Sequence, residues 1–212
     1  MKVRLFLLSP ARCDGSRARR LLAPDAGFPL AQRLCSPEGA PIGEVFAFVS
    51  GLYFRGKLTY ARRFAVSPEA WEDPARSRVQ VITATDGLVP PDRLVTPAAL
   101  RAFAGQDISA GNAVFARVLA ESAGAVAAAA GPACEAILLG SIATPKYVDV
   151  LLEVFGNRLH FPVAFVGRGD MSRGGLLLRH AASGVELDYA PVRGAVRRGR
   201  RPPRLEPLAA RG

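Results

Sequence analysis

Cysteine, histidine, lysine and tryptophan are all scarce in this chain, and each shortage excludes something. Three cysteines, Cys13, Cys35 and Cys134, in 212 residues are too few and too scattered for a disulfide framework. No two of them stand at metal-ligand spacing, and only His160 and His180 are present to join them. A metal site and a bound cofactor are therefore not expected, and a reducing, cytoplasmic location is. Trp71 is the only tryptophan and reads as a packing residue rather than a platform for stacked bases. Lysine is reduced to Lys2, Lys57 and Lys146 beside many arginines and alanines. A GC-rich genome produces that bias, so arginine number alone does not point to nucleic acid.

Long apolar runs are missing too. The N-terminus MKVRLFLLSP has the flavour of a secretory signal, but its apolar run is only residues 5–8 before Ser9-Pro10. Arg12 directly before Cys13 argues against a lipoprotein signal. The alanine run at 123–130 is cut by Gly131, Pro132 and Glu135, so no membrane span or membrane partner is expected.

What is present is a chain that is half hydrophobic and long enough to bury a substantial core. Its net charge of +10 is unevenly placed: residues 193–212 hold seven arginines against one glutamate. Apolar periodicity also stops there. The expectation is one α/β domain over residues 1–192 and a basic, disordered tail over 193–212, with RNA or DNA as the partner such a tail offers.

Strand patterns occur at 3–8, 79–85, 136–139, 159–166 and 185–189, the last at an edge because Pro191 follows. Residues 44–49 are ambiguous between strand and helix, and 52–64 have helical periodicity. Thr96-Pro97 and Thr144-Pro145 are cap-plus-proline helix starts, Asn112 caps an alanine-rich helix ending at 130, and Asp170 caps a helix over 171–180. Strands alternating with helices predict a mostly parallel sheet of about four to five strands with helices on both faces, a three-layer sandwich. Strand-end loops then share one edge: Ser9–Arg12, residues 86–92, 140–144 and 167–173.

Several constellations in those loops bear on chemistry. Gly140-Ser141, with a helix start close behind and Lys146 beyond, is an anion cradle or an ordinary strand-to-helix turn. Gly167-Arg168-Gly169-Asp170 with Arg173 offers close backbone approach and two guanidinium forks, or a loop pinned by an Arg–Asp pair. Ser9, Arg12 and Gly87 complete the expected ligand-binding set. Asp86, straight after a strand, is the candidate general base, or a turn aspartate. Residues 51–58, GLYFRGKL, imitate a P-loop but carry Leu58 where a magnesium-binding Ser or Thr is required; Arg55 and Lys57 border the crevice at most. Cys13 is a weak candidate nucleophile with no histidine near in sequence.

Tyr53-Phe54-Arg55 with Tyr60-Ala61, followed by residues 81–92, VITATDGLVPPD, resembles an uncharacterised bacterial and phage domain family. That family pairs an aromatic-rich helix with a strand ending in a Ser-Ala-Lys-x-Gly-Leu-type loop and Pro-Asp. Gly140 to Tyr147 loosely resembles its later strand-Gly-x-x-Tyr helix. Thr85 and Asp86 depart from the family pattern, and residues 9–12 lack its Cys-Ser/Gly-Lys run. The family is similar in layout to uracil-DNA-glycosylase-like folds, including a domain in tRNA-deazaguanine enzymes. The resemblance implies a nucleobase, nucleoside or nucleotide ligand, and N-glycosidic hydrolysis or base transfer as the reaction. The other expectation is a non-catalytic nucleic-acid-binding accessory module.

Overall fold

Four parallel strands form the centre of the computed structural model, which describes residues 3–65, 77–109, 111–203 and 205. Trp71 lies outside the described residues. The parallel strands are β1 (Arg4–Leu8), β3 (Val79–Ile82), β6 (Glu135–Leu139) and β7 (Leu159–Pro162). With β4 (Leu88–Val89) and β8 (Tyr189–Pro191) antiparallel at the two edges, the sheet order is β4-β3-β1-β6-β7-β8. β2 (Ala40–Pro41) and β5 (Leu94–Val95) pair separately.

Continuous apolar strands are what a sheet covered on both faces requires. Phe6 and Leu8 of β1 and Ile137 and Leu139 of β6 face one core. That core is closed by α1 (Ser16–Leu21), α2 (Pro29–Cys35), α3 (Ile42–Ser50), α4 (Leu52–Phe64), α5 (Pro97–Gly105) and α8 (Asp170–Ser183). Leu5, Leu7, Ala136 and Leu138 face the other, under α6 (Ala113–Ala130) and α7 (Val148–Phe155). Each fully buried Leu or Phe on these strands contributes about 1.5–3 kcal/mol. By length and composition α6 could cross a membrane. Here it lays Phe115, Leu119, Ala123 and Val126 on the sheet as an outer-layer helix.

The predicted caps hold at two helices. Thr96 Oγ1 accepts from Ala99 N–H, and Asn112 Oδ1 accepts from Val114 and Phe115 N–H. They fail at the other two. α7 starts at Val148 rather than after Thr144, because Tyr147 Oη donates to the Ser141 carbonyl and closes residues 141–147 into turns. Gly169, not Asp170, is the N-cap of α8; the Asp170 carboxylate is turned to Arg173.

Three more stretches differ from expectation. Residues 86–92 do not form a simple loop. Thr83 N–H and Oγ1 both donate to the Gly87 carbonyl (2.8 and 3.0 Å), Gly87 takes φ +66°, and the chain doubles back as β4. That hairpin adds β4 to the five expected strands and raises the sheet to six; the strand expected at 185–189 is β8, which begins at Tyr189. The strand predicted to 166 stops at Pro162 and tightens into a 3-10 turn, Val163–Phe165.

The domain also does not end at 192. Val192 is buried, Arg197 pairs with Asp149, and Arg168 donates to the Pro203 carbonyl. A Cβ on Gly167 would collide with the Arg200 carbonyl, and Leu205 packs against the main core. Through 203 the basic segment is therefore laid along the domain.

One helix crossing positions the chemistry described next. A Cβ on Gly56 of α4 would lie 2.6 Å from the Gly174 carbonyl oxygen of α8, and one on Gly174 would lie 2.8 Å from Leu52 O and Tyr53 Cα. Only two glycines allow that approach, and it sets Lys57 beside Arg173.

Candidate functional site

β1 sits between β3 and β6, so the chain leaves it on one side and returns on the other. A crevice belongs at the carboxyl ends of strands flanking such a reversal. A cavity of about 590 Å³ lies there. Ser9, one residue past β1, and Ser141, two past β6, line it. Tyr53 of α4, Tyr147 before α7 and Asp170 of α8 complete its inner wall, with Phe46 and Phe103 as apolar sides.

Ser9 is buried and doubly held. Lys57 Nζ donates to its carbonyl at 2.6 Å and to its Oγ at 2.9 Å. Lys57 itself is 1% exposed, 4.5 and 4.7 Å from the ring centroids of Tyr53 and Phe54. Burial pushes its amine down to about 7; Asp170 works against this and Arg173 adds to it. Gly140 makes the floor possible, because a Cβ there would stand 2.8 Å from Ser9 Cβ and 3.0 Å from Tyr147 Oη. Burial raises both the Tyr147 and the Tyr53 hydroxyls. Tyr53 lines the cavity with its hydroxyl buried, and the neighbouring Arg173 guanidinium works against the burial that raises it.

The expected residues divide. Ser9, Arg12, Ser141, Lys146 and Asp170 line the cavity, and Gly140 shapes it. Arg12 is exposed and forked onto Asp14 (2.6 and 3.0 Å), which raises the guanidinium and lowers the carboxyl. Asp86 and Gly87 share the right sheet edge, but only Ala84 of that turn reaches the cavity. Asp86 is an exposed turn aspartate that accepts from Thr85 Oγ1, so its expected role as base has no support. Gly167 and Arg168 face the C-terminal segment instead: Arg168 donates to Ala164 O, Ser172 Oγ and Pro203 O. Arg173 is buried with both Nε and Nη2 on the Phe165 carbonyl (3.2 Å each) and Nη1 on Asp170 (3.3 Å). It is a structural clamp, not an anion fork.

Cys13 lines the cavity, but burial, with Asp14 adding, pushes its thiol up to about 12, which keeps it protonated. His160 and His180 spend Nδ1 on backbone carbonyls. Among the described residues no cluster of His, Cys, Asp or Glu suits a metal.

Lys57, expected only at the border of the crevice, and Tyr53 and Tyr147, quoted only for the family resemblance, are the site residues missing from the expected ligand-binding set. The available signal was Lys57 itself: a lysine in an arginine-dominated chain, one turn after Tyr53 on the helix face that also carries Tyr60 and Ala61. Comparison with protein-family models, with curated proteins and with solved structures finds no match.

Proposed function

We propose that the β1–β6 crevice binds a small, planar, polar ligand of the nucleobase or nucleoside type. The observation that carries this is the aromatic lining of the cavity, Tyr53, Tyr147, Phe46 and Phe103, with Ser9, Ser141 and Asp170 as the polar groups between them. Aromatic faces with a few convergent polar groups are the usual make-up of such a pocket. Ser9 and Ser141 supply hydroxyls for ring carbonyls and amides, Tyr53 supplies an aromatic face, and Asp170 supplies the carboxylate for a ring N–H, the part first given to Asp86.

Charge narrows the ligand. Arg12 and Lys146 at the cavity wall meet Asp14, Asp107 and Asp170, and the two arginines expected to hold phosphate are occupied elsewhere. A neutral base or nucleoside suits this balance better than a polyphosphate. Thermal melting with uracil, adenine, guanosine, uridine and ADP tests it. A base or nucleoside at a hundredfold excess over its Kd adds about 2.7 kcal/mol, or a rise of about 5–10 °C for a chain of this size. No rise with any base or nucleoside at millimolar concentration contradicts the proposal.

A further inference from the structure

We propose that Ser9 is a nucleophile with Lys57 as its general base, making the crevice an acyl-transfer site for a small ester or amide. The pair is built as such a site requires. Ser9 lines a cavity large enough for a substrate, and Lys57 Nζ stands 2.9 Å from its Oγ, within proton-transfer reach. The lysine comes from the middle of α4, locked by the Gly56–Gly174 crossing, rather than from a mobile surface chain.

A lysine that merely tied down the loop would serve best as an ammonium with a carboxylate partner. Lys57 has none: among the described residues no acid lies within ion-pairing distance of it. The groups facing it are Ser9 from the β1 loop, Tyr53 on its own helix, and Asp170 and Arg173 from α8. An unpaired ammonium in that setting is strongly disfavoured, so the neutral amine, which has a lone pair for the Ser9 proton, is accessible near neutral pH. The only thiol in the cavity wall, Cys13, stays protonated and does not compete.

The chemistry balances with water as the only co-reactant. Ser9 Oγ bonds to the acyl carbon while its proton passes to Lys57 Nζ. The bond from that carbon to the alcohol oxygen or amine nitrogen breaks, and the leaving group takes the proton back from Lys57. Water then attacks acyl-Ser9, gives a proton to Lys57, and Ser9 departs as the alcohol with that proton. The products are a carboxylic acid and an alcohol or amine, with no oxidation or reduction.

Ser9 reactivity does not depend on which ligand the crevice takes, so the test uses a small alkyl fluorophosphonate on the full chain. Intact-mass and peptide mass spectrometry should find one adduct, on Ser9, forming at a rate that rises with pH through about 7. Ser9→Ala should abolish it. Lys57→Met and Lys57→Arg should slow it at least about 100-fold, the low end of general-base catalysis, with unchanged circular dichroism. If neither Lys57 variant folds, the wild-type pH profile decides alone. No adduct on Ser9, a flat profile, or labelling at wild-type rate in a folded Lys57 variant overturns the proposal. Labelling without any nucleoside binding would overturn the nucleobase reading only.

Discussion

Lys57 Nζ donates to both oxygens of Ser9, 2.6 Å to the carbonyl and 2.9 Å to the hydroxyl, joining the middle of α4 to the end of the central strand. The contact closes a buried path from sequence-distant elements to the crevice floor, and it makes stability depend on pH. With a folded-state value of about 7 against 10.5 for an ordinary lysine, the unfolded chain holds one proton more between those limits. Stability should therefore rise with pH across that window, by up to about 1.4 kcal/mol per unit. Below about 7 this group adds no slope. Urea denaturation of wild type and Lys57→Met from pH 6 to 9.5 checks it: the difference between the two curves should climb above pH 7, and parallel curves would show that Lys57 is charged in the fold.

Arg173→Ala should lower stability by about 2–3 kcal/mol. The guanidinium is buried, satisfies the Phe165 carbonyl with two N–H groups and lies 5.6 Å from the Phe165 ring centroid. Removing it orphans a carbonyl and opens space between α8 and the turn before it. Chemical denaturation measures the loss; a change under about 0.5 kcal/mol, as for an ordinary surface arginine, would contradict the clamp.

Gly140→Ala adds one methyl where Ser9 Cβ and Tyr147 Oη already close in. Overpacking of that kind costs about 1–3 kcal/mol. The displaced Ser9 should also lose its contact to Lys57, so fluorophosphonate labelling should fall together with the melting temperature. Retained labelling at full rate would mean that the floor has room.

Truncation after Val192 should destabilise the domain measurably, by about 1–2 kcal/mol, since it removes the Leu205 contact, the Arg197–Asp149 pair and the Arg168–Pro203 bond. A melting temperature identical to the full chain would show that residues 193–205 contribute nothing to the fold.

The sheet was legible in the sequence because its signal is local. Residues 3–8 and 136–139 read as strands from their apolar runs, and both alternate between two cores. The caps at Thr96 and Asn112 were equally visible, since cap and helix are neighbours in sequence. The shared edge of Ser9, Gly140 and Ser141 followed from crossover handedness alone. What failed was decided by contacts far along the chain. Arg168 and Arg173 looked free because their carbonyl partners carry no sequence signal, and Asp86 looked catalytic because a hairpin turn and a strand-end loop use the same residues. Lys57 was placed at the crevice border, but its contact to Ser9 was hidden for the converse reason: Ser9 is forty-eight positions away and the helix of Lys57 is aligned by two glycines on different elements.

The most direct test of the crevice is chemical-shift mapping of the full-length protein titrated with the nucleobase or nucleoside that stabilises it most. The amide signals of Ser9, Tyr53, Ser141 and Asp170 should move together and saturate with one affinity, while those of Asp86 and Arg168 stay in place. Saturable shifts centred on Asp86 or Arg168, with Ser9 and Tyr53 unmoved, would contradict the account.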